Sequence, residues 1–289
     1  MDHLQMGSYP VVVLNDWPSI KQTFHDETAL YRPKDNFFNT AFPAGFASIS
    51  GDAWKEQKRV SNNVNSFNFG RRFDYTDSKK QAIDDFLKLD PNKMLEGNTL
   101  NLIAGGSLAI MQTVEWAVAI LAINPLMQRH IHKEIDEVIG NERNPKFSDR
   151  NQMPYLQAFM WEVWSASKDM VISGFKIPKD TQILVNFWAI DNDPNLWENP
   201  TEFRPERLLS KDLKTFKKPE HLIPFSIGKR SCPGEILGVV ETFLYLSSLL
   251  QKYEIKANHK TDRKLEYNFE FSIAPKHNPN ITFIRRLHN

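Results

Sequence analysis

Residues 99–127 carry a single charge, Glu115, in a run dominated by Ala, Ile, Leu and Val. An apolar stretch of that length must cross a bilayer or be enclosed by protein. Asn101, Gln112 and Asn124 interrupt it, Gly105 and Gly106 loosen it, and Pro125 ends it. Those polar interruptions favour a long buried helix over residues 98–123 rather than a membrane span. A second strongly apolar helix is expected over residues 235–250, enclosed on most sides. Two such helices require a large core. A chain of 289 residues, 41% hydrophobic and 25% charged, is long enough to provide one.

The charge balance narrows the functional classes. Lys and Arg total 36 against 35 for Asp and Glu, a net charge of +1. No basic face points to nucleic acid, and no acidic tail points to a solvated linker. A single Cys excludes an intramolecular disulfide framework and any multi-cysteine metal site. The first residues, Met-Asp-His-Leu-Gln-Met, lack the basic start and apolar run of a signal peptide. His130 and His132 are two apart on a predicted helix, face different ways and cannot chelate together.

The rest of the chain reads as mostly helical with small sheets. Val11, Val12 and Val13 mark a strand over residues 9–14, and Asp16 can cap a helix starting near Pro18. Residues 46–50 read as a short strand or turn, 53–64 as a charged helix, and 71–90 as a loop followed by a short helix. Amphipathic helices follow over 125–139, stopped by Gly140, and over 155–165. Residues 174–180 read as a turn, 182–187 as a strand and 192–207 as irregular. Leu265, Tyr267, Phe269, Phe271 and Ile273 alternate as one strand, with which residues 281–284 can pair.

Chemistry concentrates in one window, Phe225-Ser-Ile-Gly228-Lys-Arg230-Ser-Cys232-Pro-Gly234, directly before the second apolar helix. Pro233 suits a first helical turn, which places Cys232 at a helix N-terminus. The free N–H groups and dipole there favour a thiolate. Gly228 and Gly234 let the backbone approach a large flat group, Arg230 supplies a fixed cation, and Phe225 an apolar wall. Together these suit a haem iron and its propionates.

The window resembles the haem-binding loop of the cytochrome P450 family, of the animal microsomal type. Phe, Gly, Arg, Cys and Gly all stand at the family's spacing. With average composition, chance agreement is below roughly one in a million per start site. Further blocks follow in the family's order. Phe203-Arg-Pro-Glu206-Arg207 resembles the meander, residues 177–181 and 189–194 the strand and turn before it, and Glu162 the first residue of the Glu-x-x-Arg motif. Residues 124–140 resemble the helix following the long central one. Trp54 and Lys58, four apart on one helix face, resemble a pair that contacts haem propionates.

Three departures accompany the matches. Ser165 stands where the motif beginning at Glu162 has Arg, and only twelve residues separate Glu162 from Gly174. A buried Glu deprived of its Arg is destabilising by several kcal/mol unless it protonates or moves. Leu108 and Ala109 fall at the positions of the family's proton-relaying acid and alcohol, and neither side chain can pass a proton. Ser107 lies beside them on another helix face. The stretch between Phe69-Gly70-Arg71 and the long helix is far shorter than the family's, and no N-terminal anchor is evident.

The resemblance implies one P450-like domain over 1–289, with an N-terminal strand and helix part (1–70), a shortened connector (71–98) and a haem-binding core (99–289). The implied fold is mostly α with small β-sheets, a P450 fold reduced to its proximal haem-binding half. The implied cofactor is haem b, with Cys232 as axial iron ligand. Phe225, Gly228, Arg230, Gly234, Trp54 and Lys58 would also contact it, and Glu162 and Arg207 would be structural. The implied reaction is insertion of one oxygen atom from dioxygen into a small organic substrate, with electrons from a docking reductase at the endoplasmic reticulum membrane surface. Two other readings stay open: a haem-binding remnant without turnover, and a non-haem helical protein in which Cys232 packs.

Overall fold

A computed structural model describes residues 2–6, 9–25, 50, 54–55, 104–165, 182–257, 267–269, 273–275 and 281–287. The chain divides into two compact units. The first comprises Met1–Leu108, Asp169–Ile190 and Phe225–Leu237, and the second Ala109–Lys168, Asp191–Pro224 and Gly238–Asn289.

In the first unit, β1 (Asp2–Met6) pairs antiparallel with β2 (Tyr9–Leu14), and β2 pairs parallel with β3 (Gln182–Val185). The central strand carries Val11 to Leu14 as an unbroken apolar run. All four are buried, as a strand covered on both faces requires. Helix α1 (Trp17–His25) follows at once. The Asp16 carboxylate accepts the Ser19 N–H at 2.8 Å and so caps the helix, as expected, with Pro18 in its first turn. Strand β3 is shorter than the predicted 182–187 because Asn186 turns the chain. Its N–H donates to Leu14 O at 2.9 Å, and its side-chain oxygen accepts the Ala189 N–H at 3.1 Å, starting α2 (Phe187–Asp191). The stretches predicted over 46–49, 56–64, 71–90 and 174–180 lie outside the described residues.

The second unit is built on helices. The long apolar segment is a π-helical turn, Ala104–Leu108, that ends the first unit's N-terminal part, followed by α3 (Ala109–Ile123) of the second. Gly105–Ile123 is long and apolar enough, by length and composition, to cross a membrane. The C-terminal half of α3 is a core helix, with Ala117 and Ala119 to Ala122 buried, whereas Met111 in its first turns is half exposed. Helix α4 (Pro125–Val138) buries Gln128, Ile131 and Ile135, one stripe at helical spacing. It ends where Gly140 takes a φ of +68°. Helix α5 (Pro154–Ser165) buries Leu156, Phe159 and Met160, and α6 (Glu235–Lys252) buries Phe243, Leu246 and Leu250.

The C-terminal pairing differs from the expectation. The alternating run is not one strand. Its described parts are two short strands, β5 (Tyr267–Phe269) and β6 (Ile273–Pro275), paired antiparallel with each other. Strand β7 (Ile281–Arg285) pairs instead with β4 (Tyr253–Ala257), which runs straight out of α6. Two contacts fix this choice. Buried Gln128 makes a two-way bond to the backbone of Ile255, accepting its N–H at 2.6 Å and donating to its carbonyl at 2.8 Å. Arg286, just after β7, donates to the carbonyls of Leu250 and Gln251 and to Asp136, tying β7 to the end of α6.

Candidate functional site

The cysteine loop is a closed, glycine-dependent turn in the first unit. The Cys232 N–H donates to Phe225 O at 2.8 Å, folding residues 225–232 back on themselves. Within it, Gly228–Arg230 form a single 3-10 turn, closed by the Ser231 N–H on Gly228 O at 3.2 Å. Gly228 has a φ of +74°, and a Cβ there would lie 2.1 Å from the carbonyl oxygen of Phe24. The close approach that Gly228 permits is to the end of α1, which anchors the apex of the loop.

Cys232 is exposed. Helix α6 starts at Glu235, after a turn at Pro233 and Gly234, so Cys232 precedes the first helical residue by more than the sequence reading allowed. The closest helix donor, the Glu235 N–H, is 3.5 Å from the Cys232 carbonyl. One backbone N–H, that of Gly234, does bond the sulfur and favours its anion. Desolvation on the protein side outweighs it, the Glu235 charge adds to the effect, and the thiol is pushed up from its ordinary value. Without a bound ion this balance favours the thiol. A coordinated metal ion reverses that balance. Among the described residues, a Cβ at Gly234 would meet the cysteine sulfur at 3.9 Å, so residue 234 puts no side chain beside the sulfur. The loop's chemistry therefore fits haem: an accessible sulfur, side-chain-free backbone beside it, and a cation two residues away.

That cation is held in place. The Arg230 guanidinium lies 4.0 Å from the ring centroid of Trp54, which is almost fully buried. A face-on contact of this kind contributes about 0.5–2 kcal/mol. Two residues read separately from the sequence are thus neighbours. Lys58 lies outside the described residues.

Glu162 and Arg207 meet in the second unit. The Glu162 carboxylate forms an ion pair with Arg207, Oε1 lying 3.1 Å from Nε, and accepts the Arg204 N–H at 2.9 Å. The expectation of an uncompensated Glu162 is therefore corrected. Arg207 reaches it directly although Ser165 replaces the motif's Arg. Arg207 Nε donates to the Arg204 carbonyl at 3.3 Å, and its terminal nitrogens donate to the carbonyls of Glu198, Asn199 and Glu202. Burial still prevails at Glu162, whose carboxyl is pushed up to about 7 despite these donors. Asp191, also deeply placed and near the Glu162 charge, is pushed up to about 8. Neither Arg204 nor Asp191 was singled out in the sequence; Arg204 sits in the stretch read as irregular, which holds the start of the 3-10 helix Pro205–Leu208, and Asp191 ends α2.

The relay positions Leu108 and Ala109 mark the junction between the π turn and α3, and Ala109 and Ser107 are exposed. A π turn of this kind widens the helix locally. The nearest hydroxyl along α3, that of Thr113, donates to Ala109 O at 2.8 Å.

Comparison with known proteins places these features in a class. The family model of cytochrome P450 matches residues 71–283. The chain belongs to the cytochrome P450 family. It is 42% identical over 172 residues to human cytochrome P450 1A2, covering 54% of this chain and 33% of that protein. It is 37% identical over 222 residues to guinea-pig (Cavia porcellus) cytochrome P450 1A1, covering 70% and 43%. To the dog (Canis lupus familiaris) cytochrome P450 1A1 it is 36% identical over 242 residues, covering 76% and 45%. The chain thus spans between a third and just under half of the length of these curated relatives. The mostly helical architecture with small sheets is that of a partial P450 fold.

Proposed function

We propose that this chain is a haem-thiolate protein with Cys232 as axial iron ligand, serving the insertion of one oxygen atom from dioxygen into a small, lipophilic organic molecule. The observation that carries the reading is the exposed Cys232 sulfur beside the open backbone of Gly234, in a loop closed at Phe225 and anchored through Gly228. When bound, haem supplies the oxygen chemistry, which a thiolate ligand favours by pushing electron density towards O–O cleavage.

The protein's own parts are these. Cys232 would hold the iron as a thiolate, with the Gly234 N–H on the sulfur to moderate its charge. Arg230, steadied by Trp54, would hold a propionate, and the family resemblance assigns Lys58 the same role. Phe225 walls the loop. Glu162 and Arg207 fix the meander. Electrons would come from a reductase, and the working location would be the endoplasmic reticulum membrane surface, as the family suggests.

Leu108 and Ala109 favour a second reading, in which haem is bound without turnover. Neither side chain holds an exchangeable proton, and general acid catalysis typically contributes 10²–10⁴-fold. Dioxygen consumption by the haem-loaded chain, with a reductase and a panel of lipophilic substrates, decides between the two. Oxygenated product supports the first reading. Haem binding with no oxygenated product supports the second. Failure to bind haem leaves only a helical protein with a packed cysteine.

A further inference from the structure

The meander turn is held on α5 along a seam, and its far end is a contact that the haem reading does not use. Tyr155, Phe159 and Glu162 lie at helical spacing on one face of α5, seven residues spanning about 10 Å. Each meets the segment 203–207. The Tyr155 hydroxyl donates to Glu206 Oε1 at 2.7 Å, the Phe159 and Phe203 rings pack edge to face at 5.7 Å, and Glu162 takes the Arg204 N–H and forms its ion pair with Arg207.

Tyr155 is itself fixed from two further directions. Its ring stacks on His130 of α4 with centroids 4.9 Å apart. Its N–H and that of Leu156 donate to the two oxygens of Glu134, at 2.7 and 2.9 Å, so an α4 carboxylate caps α5. By contrast, Pro205–Leu208 is a single 3-10 turn. The Arg207 N–H on Arg204 O at 3.1 Å and the Leu209 N–H on Glu206 O at 3.1 Å are its backbone bonds. So short a turn has little stability of its own, and its orientation comes from its side-chain anchors.

We propose that Tyr155 and Glu206 are a positioning pair that holds the 204–207 turn on α5 so that Arg204 and Arg207 meet Glu162. The proposal concerns contacts inside one unit and is independent of whether haem binds.

The test is amide hydrogen exchange at Arg204 in the full chain, with the Glu162 carboxyl titrated by NMR alongside. Tyr155→Phe, which keeps the ring on His130, should speed Arg204 exchange about tenfold and move the Glu162 midpoint up from about 7, because the Arg204 and Arg207 groups that hold it down are loosened. Glu206→Gln keeps an acceptor oxygen and should stay within about threefold of the parent. Glu206→Leu should match Tyr155→Phe, and the double variant should be no faster than either single one. If Tyr155→Phe does not fold, the Gln and Leu variants at 206 carry the same comparison. Unchanged Arg204 exchange in Tyr155→Phe, or in Glu206→Leu where that comparison is used, overturns the proposal, as does equal behaviour of the Gln and Leu variants. Failure of the haem reading would show instead as absent haem binding by the parent chain, with these exchange differences intact.

Discussion

Two residues in the cysteine loop face opposite demands. Ser226 adopts a φ of +61°, a conformation that costs a residue with a Cβ about 1–2 kcal/mol, and nothing in the structure requires a side chain there. Ser226→Gly removes that cost and adds back about 0.5–1 kcal/mol of unfolded-chain entropy, so a net gain of about 0.5 kcal/mol is expected in denaturant unfolding. Gly228 has the same backbone hand, but its missing Cβ is also demanded by the Phe24 carbonyl 2.1 Å away. That neighbour is backbone and cannot turn aside. Gly228→Ala should therefore cost about 2–4 kcal/mol and abolish haem uptake, and parent-like stability would contradict the anchoring of the loop on α1. The loop's five fixed residues were legible because their spacing is local. Gly228's partner on α1 was not, since no sequence pattern links residue 24 to residue 228.

At the scale of elements, α5 is set by carboxyl groups whose burial gives the fold an inverted pH response. Glu134 and Glu162 are pushed up to about 7 and Asp191 to about 8, first by burial, and for Asp191 also by the Glu162 charge. A carboxyl with its folded value raised binds its proton more tightly when folded, so stability is full below the ordinary value and is lost as pH rises through the folded value. His132 acts against this at lower pH. Burial and the Arg286 charge push it down to about 4, and it penalises folding as pH falls below about 6.5. The clean window is therefore pH 6.5–8. There, unfolding midpoints should fall as pH rises, by at most about 1.4 kcal/mol per pH unit for each proton released. Asp191→Asn should flatten the slope, and a flat parent profile would contradict the assignment. Glu134→Ala should cost about 1–2 kcal/mol in unfolding experiments, because it frees two N–H groups at the start of α5.

Over the whole chain, legibility followed the distance over which the physics acts. Helices α4, α5 and α6 were readable to within a few residues from periodicity, Pro and Gly. The strand at Val11 to Leu14 was readable from its unbroken apolar run, whereas β1, short and polar in sequence, and β4, continuous with α6, were not. Alternation correctly marked strand character near the C-terminus. It could not say that β7 would choose β4, because that choice is made by Gln128 and Arg286, residues remote from one another in sequence. The Glu162–Arg207 pair was legible only as two motif fragments. Their direct contact, and the Tyr155–Glu206 bond beside it, required the fold. The central claim is thiolate ligation by Cys232. Its most direct test is the reduced, carbon-monoxide difference spectrum of the haem-loaded chain beside Cys232→Ala: a far red-shifted Soret band in the parent, lost in the variant, is predicted, and the same spectrum in both, or no such band in the parent, would contradict the account.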